Sequence, residues 1–230
     1  MRCRVALQTV EYTATFEQPL FTLVNRQTEL AQACFNRFAP DFPLSLPHVQ
    51  ATGGTTFADV VVAVRLPALR GMVEVRVDRL AGRFEGLATQ DEADRALLAI
   101  GRGEEALRSV FPDVLAASTS LNVMSWLTCD DDKRAVEENL AARQHVQFEA
   151  AALGANKARF AVRGEIANED EGWTFGFGLE PSAPAEFDLY LVCLATYTAA
   201  SRYRTIAAQR GHLSAVFAGI LEQFGFRPTL

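Results

Sequence analysis

The chain has 230 residues, 49% of them hydrophobic, and a formal net charge of −6. That apolar fraction supplies a sizeable core and excludes disorder over most of the length. The acidic balance disfavours general nucleic-acid binding, and no apolar run reaches the roughly 18 residues that a membrane-spanning helix needs.

Residues 3–16 alternate loosely, with Val5, Leu7 and Thr9 on one face, and predict a strand. Pro19 suits the first turn of a helix. Leu20, Val24, Ala31, Cys34, Phe35 and Phe38 continue it as an apolar stripe. Pro40, Pro43 and Pro47 end that helix, and the irregular segment PDFPLSLPH begins a loop through Gly54 that reads as a lid or contact surface. Two strands, 57–66 and 72–84, follow; the Pro-Ala-Leu-Arg-Gly link at 67–71 is short enough for a hairpin.

Thr89-Gln90-Asp91-Glu92 has the form of a capping box. It opens a helix whose apolar face is Ala93, Ala96, Leu97, Ile100, Leu107 and Val110; Gly101 and Gly103 weaken its middle and Pro112 stops it. A strand at 116–127 leads to Thr128-Cys129-Asp130-Asp131-Asp132-Lys133-Arg134, then to a short helix at 131–144 with Val136 and Leu140 on one side. Strands at 145–153, 158–166 and 173–180 are joined by turns rich in Asn and Gly. The last of these has a clean period of two, placing Trp173, Phe175, Phe177 and Leu179 on one face. A buried strand at 187–197 precedes a closing helix at 201–224 bearing Ile206, Leu213, Val216, Phe217, Ile220, Leu221 and Phe224.

This order predicts a single α+β domain over residues 1–230: a twisted, largely antiparallel sheet with three main amphipathic helices packed on it. The succession of elements hints at two similar halves, without a residue-level repeat. Four cysteines, Cys3, Cys34, Cys129 and Cys193, form no CxxC pair, which argues against a zinc knuckle or a disulfide scaffold. The N-terminal MRCRVALQTVEYTATF lacks the apolar centre of a signal peptide, so a cytoplasmic location is expected. Only Lys133 and Lys157 stand among the 22 basic residues, a bias that a GC-rich bacterial genome would produce.

Three consecutive aspartates suggest either a metal site or a helix start. A hard-cation site needs oxygens converging on one point, whereas neighbouring side chains of one turn diverge. Capping of the 131–144 helix, by Thr128 or Asp130, is therefore the expectation, and neither a metal nor a cofactor is expected. His48, His145 and His212 belong to no HExxH or HxH pattern, and no GxSxG elbow is present. Gly53-Gly54, Gly101-Arg102-Gly103 and Gly176-Phe177-Gly178 match neither a phosphate loop nor a dinucleotide fingerprint.

Charge is uneven: residues 85–138 hold twelve acids against five bases, and residues 198–230 hold four arginines against one acid. Arg202, Arg204 and Arg210, read as lying at the start of the closing helix, would oppose its dipole and so suggest an acidic partner. The 85–138 region, of this chain or of a second copy, is the nearest candidate. The leading expectation is thus a non-enzymatic binding or assembly protein, acting as a homo-oligomer or as a subunit of a bacterial complex. Its partner is a protein or a second copy, with neither nucleic acid nor membrane. The alternative is a small-molecule binder or enzyme whose apolar pocket is lined by Trp173, Phe175 and Phe177.

Asp78-Arg79-Leu80, Leu121-Asn122 and the strand and helix from 187 to 224 occur in an order that resembles a sporadically distributed bacterial family of uncharacterised proteins. The resemblance implies an α+β fold and brings no catalytic residue. The Arg-Tyr pair that the family places before the Asn is replaced here by Thr119-Ser120.

Overall fold

The structure, a computed structural model, describes residues 1–142 and 161–229. The chain runs β1 (Arg2–Phe16), α1 (Leu23–Phe38), β2 (Val49–Thr52), β3 (Val61–Leu66), β4 (Gly71–Arg76), β5 (Arg79–Leu87) and α2 (Gln90–Val110). It continues through β6 (Ala116–Cys129), α3 (Lys133–Ala142), β7 (Val162–Asn168), β8 (Trp173–Pro181), β9 (Leu189–Thr198), α4 (Ile206–Gln223) and β10 (Arg227–Thr229). Ten strands form one open sheet in the order β2-β3-β4-β5-β1-β6-β9-β8-β7, with β10 parallel to the start of β1. Every other pairing is antiparallel. The α+β class expected from the sequence is what the chain adopts. Among the described residues no helix is long and apolar enough to cross a membrane.

The long strands β1 and β6 pair at the centre, from Cys3–Cys129 to Phe16–Ala116. Outward from that seam, both halves repeat a plan of strand, helix, strands and helix. One face of the sheet meets the helices. There Val10, Tyr12 and Ala14 of β1, Leu121, Val123 and Leu127 of β6, and Leu191, Cys193 and Ala195 of β9 are buried with Leu30 and Phe38 of α1, Ile100 of α2 and Leu221 of α4. Each large side chain so placed contributes roughly 1.5–3 kcal/mol.

Helix starts follow local chemistry. Thr89 Oγ1 accepts the Glu92 N–H at 3.2 Å, while Glu92 Oε2 accepts the Ala88 N–H at 2.6 Å. Thr205 Oγ1 accepts the Ala208 N–H at 3.2 Å, so α4 begins at Ile206 rather than near residue 201. Asp132, not Thr128 or Asp130, caps α3: its Oδ1 accepts the Ala135 N–H at 2.8 Å. Asp130 instead donates its backbone N–H to Arg2 O at 3.0 Å. Next to the cap, Lys133 Nζ reaches the carbonyls of Ser182, Pro184 and Phe187 and ties the β8–β9 connection to α3.

The segment 72–84, expected as one strand, is the β4–β5 hairpin turning at Val77-Asp78. The buried side chains switch parity there, from Val73, Val75 and Val77 to Leu80 and Phe84. β2 lies within the expected loop, where Phe42 is buried against Phe38 while Leu46 remains exposed. The expected strand at 145–153, the start of the one at 158–166 and His145 lie outside the described residues.

Candidate functional site

Of the three β8 aromatics, Phe177 borders a trough with Gly164, Gly176 and Gly178. Phe175 is fully buried in the core. Phe177 covers Gly164 of β7, where an added Cβ would lie 2.6 Å from its ring. Trp173 packs edge-on against His212 of α4, with ring centroids 4.7 Å apart.

The three arginines also separate. Arg202 and Arg204 precede the N-cap Thr205, so they stand just outside the positive end of α4 rather than within its first turn. Arg202 pairs with Glu171 at 3.1 Å and donates to the Tyr203 hydroxyl at 2.7 Å. Arg210 pairs with Asp94 of α2, so one member of the acidic 85–138 region is its partner within the chain. Arg204 is exposed and has no ion-pair partner among the described residues.

Around the start of α4 a network builds on His212. Its ring stacks on Tyr203 at 4.1 Å and 11°, and its Nδ1 lies 3.1 Å from the Tyr197 hydroxyl. That hydroxyl also donates to Gln209 O at 3.2 Å. Both contacts are satisfied when His212 Nδ1–H donates to Tyr197 and Tyr197 donates onward. Burial, then the nearby Arg202 guanidinium, lowers the His212 pKa from the ordinary imidazole value. Burial likewise raises the Tyr197 phenol. Gln209 Nε2 donates to Thr119 Oγ1 at 2.7 Å and to Tyr203 O at 3.0 Å, whereas its buried Oε1 has no partner among the described residues. Beside this network lies a cleft of about 300 Å³ lined by Glu17, Arg108, Thr119, Tyr197, Arg204 and Gln209.

The outer face of α4 differs from that of the other long helices. α2 shows Asp91, Arg95, Arg102, Glu105 and Arg108 on and around its outer side. α4 has no carboxylate, lysine or arginine between Arg210 and Glu222. Its outward stripe is Ala207, Gly211, Ser214, Ala215, Ala218 and Glu222, all exposed except the half-buried Ala218. A Cβ added at Gly211 or Gly219 would meet nothing within 4 Å. Nothing among the described residues therefore requires glycine at either position, although each costs a helix interior about 1 kcal/mol relative to alanine. Glu222, at the C-terminal end of the stripe, has no ion-pair partner among the described residues, and neither does Arg204 just before its N-terminal end.

Among the described residues, the helices lie on one face of the sheet and not on the other. Towards β7 it is apolar: Trp126 and Tyr190 sit with ring centroids 5.1 Å apart, and Leu194 is 45% exposed. Gly176 and Gly178 leave a trough of about 340 Å³ beside Tyr190, Val192 and Leu194. Towards β2 the face is charged and partly paired. Arg83 meets Glu11 at 3.4 Å and Glu85 at 2.7 Å, and Arg76 meets Glu74 at 2.7 Å.

Among the described residues no group of three or more His, Cys, Asp or Glu side chains is placed to hold a metal ion. His48 Nδ1 accepts the Ser45 N–H at 3.2 Å in a short turn. Burial pushes the Cys34 and Cys193 thiols up to about 12, so both behave as core side chains. The feature that sequence reasoning missed is the pairing of Cys3 with Cys129 across the β1–β6 seam. No short motif could announce it, because it depends on two strands separated by most of the first half of the chain.

No protein-family model matches the chain, and no curated protein matches it. Among solved structures it is similar to a TBP of Methanococcus jannaschii, with 10% identity and a TM-score of 0.30, over 96% of this chain and 99% of that one. A likeness of that degree carries no argument.

Proposed function

We propose that the protein is a non-enzymatic assembly protein that associates with a second copy of itself by packing α4 against α4. The observation that carries this reading is the uncharged, small-residue outer face of α4, with two interior glycines that nothing among the described residues requires. Small side chains let two helix backbones approach closely, and a face without charge meets its own copy without repulsion. The ends add orientation. In an antiparallel pair related by a two-fold axis, Glu222 of each copy lies near Arg204 of the other, and neither has an ion-pair partner among the described residues.

The stripe from Ala207 to Glu222 spans about 22 Å at 1.5 Å per residue. Such an interface stands at the small end of specific contacts, which sets the expected dissociation constant at about 1–100 µM. Two arginines of the sheet face turned from the described helices, Arg76 and Arg83, already face carboxylates, which leaves less positive charge there for a nucleic acid.

Analytical ultracentrifugation over about 1–200 µM, which brackets that range, tests the reading. Wild type should shift from monomer to dimer, and Ala215→Glu should remain monomeric with an unchanged melting temperature. Arg204→Glu and Glu222→Arg should each weaken the dimer, and the double exchange should restore it. A wild type that stays monomeric at the highest concentration overturns the proposal.

One observation favours a second reading, a small-molecule binding site. It is the unpartnered Gln209 Oε1 beside the cleft of about 300 Å³. A ligand with an N–H or O–H donor and an anionic group would suit Gln209, Arg204 and Arg108. Thermal shift against a panel of hydroxy and amino acids checks it, with Gln209→Leu expected to abolish any response.

A further inference from the structure

Cys3 and Cys129 are directly opposed on the antiparallel strands β1 and β6, and each thiol shifts the ionisation of the other. The flanking backbone defines the kind of pair they form. Asp130 N–H donates to Arg2 O at 3.0 Å, which makes Arg2 and Asp130 the hydrogen-bonded pair. Cys129 N–H points the other way, to Asp188 Oδ2 at 2.7 Å. Cys3 and Cys129 are therefore a non-hydrogen-bonded pair, the type whose Cα atoms stand about 4.5 Å apart with side chains in closest approach.

That separation lies at the short end of the range of about 4.4–6.8 Å found for disulfide-linked Cα atoms. Cβ atoms of such cross-strand pairs stand about 4.5–5.5 Å apart, slightly more than the 3.5–4.5 Å that a relaxed disulfide prefers. A bond closed here is somewhat strained, which makes it reversible rather than purely structural. Access is asymmetric: Cys3 is buried, and Cys129 is half-buried. Cys34 and Cys193 are each buried on other elements.

We propose that Cys3 and Cys129 form a dithiol–disulfide couple, a redox modification site whose oxidant is a hydroperoxide approaching from the half-buried Cys129. The Cys129 thiolate attacks one oxygen of hydrogen peroxide; an S–O bond forms, the O–O bond breaks, and the departing hydroxide takes up a proton as water. The Cys3 thiolate then attacks the Cys129 sulfur of that sulfenic acid. The S–S bond forms, the S–O bond breaks, and a second water leaves. Two thiols and one peroxide thus give one disulfide and two waters, with two electrons passing from sulfur to oxygen. A small dithiol reverses the change by exchange.

The two cysteines have different electrostatic surroundings. The Cys129 side chain and the Met1 ammonium lower the Cys3 thiol, against burial and Asp130. The Cys3 side chain, burial, and the carboxylates of Asp188 and Asp131 raise Cys129. Oxidation should accordingly be slow at neutral pH and accelerate as the pH rises.

The test is to treat the folded full chain with hydrogen peroxide, unfold it in the presence of an alkylating agent and map the peptides by mass. Two of the four cysteines should resist alkylation, and one cross-linked peptide should join Cys3 to Cys129. Dithiothreitol should restore four alkylated cysteines, and the oxidised form should melt several degrees higher. Cys3→Ser should abolish the cross-link and leave Cys129 to over-oxidise; Cys129→Ser, at the more exposed position, should abolish it without disturbing the fold. Four alkylatable cysteines after peroxide treatment, or a cross-link that uses Cys34 or Cys193, overturns the proposal.

Discussion

The Tyr12 hydroxyl donates to Glu104 Oε1 at 2.5 Å, fastening the central strand β1 to the middle of α2. Tyr12 is 2% exposed, and burial, then the Glu104 carboxylate, raises its phenol far above the ordinary value. The tyrosine therefore keeps its proton at neutral pH and donates a hydrogen bond to the carboxylate. Tyr12→Phe keeps the ring but leaves a carboxylate without its main donor. The expected loss is about 1.5–3 kcal/mol, the range for hydrogen bonds to charged groups. Urea unfolding of the two proteins checks it; equal midpoints would mean that water or Arg108 replaces the hydroxyl in full.

A second prediction concerns the three aspartates. Asp132→Ala removes the acceptor of the Ala135 N–H and should cost about 0.5–2 kcal/mol. Asp130→Ala and Asp131→Ala, which remove no capping bond, should each cost less, about 0.3–1 kcal/mol, with an effect that salt reduces. A chelator should leave the melting curves unchanged. A drop of several degrees confined to wild type would point to bound metal instead.

Much of the fold was legible because one face of each element is buried. The alternation through β9 and the spacing of Ala93, Ala96, Ile100 and Leu107 in α2 follow from that alone. The Val77-Asp78 turn was harder to see, since only the parity switch marks it and neither Gly nor Pro is present. β2 and β10 are short strands whose pairing depends on neighbours far along the chain. The site was less legible for the same reason. Arg210 could be suspected of an acidic partner, but only the packing of α4 beside α2 chooses Asp94. Trp173, Tyr197, Tyr203 and His212 come from β8, β9, the β9–α4 connection and α4, and no local spacing brings them together.

Two glycine classes should respond with opposite signs. Gly211→Ala and Gly219→Ala add a methyl where nothing lies within 4 Å, so each should stabilise the monomer by about 0.5–1 kcal/mol. That corresponds to a rise of roughly 1–4 °C for a chain of this size. Gly103→Ala would place a Cβ 2.7 Å from Val73 Cγ1, where α2 presses on β4. It should destabilise by about 1–3 kcal/mol. Scanning calorimetry at low protein concentration distinguishes the cases, and a destabilised Gly211→Ala would show that the outer face of α4 is already crowded in the monomer.

The last prediction is a pH dependence centred on His212. Burial first, then the Arg202 guanidinium, disfavours the imidazolium in the folded chain; Glu171 opposes them, and the facing groups Tyr197, Tyr203 and Trp173 carry no charge. The folded pKa is thus below that of the unfolded chain, about 6.5. Between the two values the unfolded state binds more protons, so stability rises with pH. The contribution is fully present above about pH 6.5 and is lost as the pH falls towards the folded value. His212→Gln keeps an amide in reach of the Tyr197 hydroxyl and cannot titrate. The difference in melting temperature between wild type and this variant should therefore narrow, or change sign against wild type, from about pH 7.5 to 5.5, a range that brackets the ordinary imidazole value. The carboxylates common to both proteins cancel in that difference. A difference that stays constant over the range, or one that grows in favour of wild type as the solution is acidified, would show that His212 gains rather than loses a proton partner on folding.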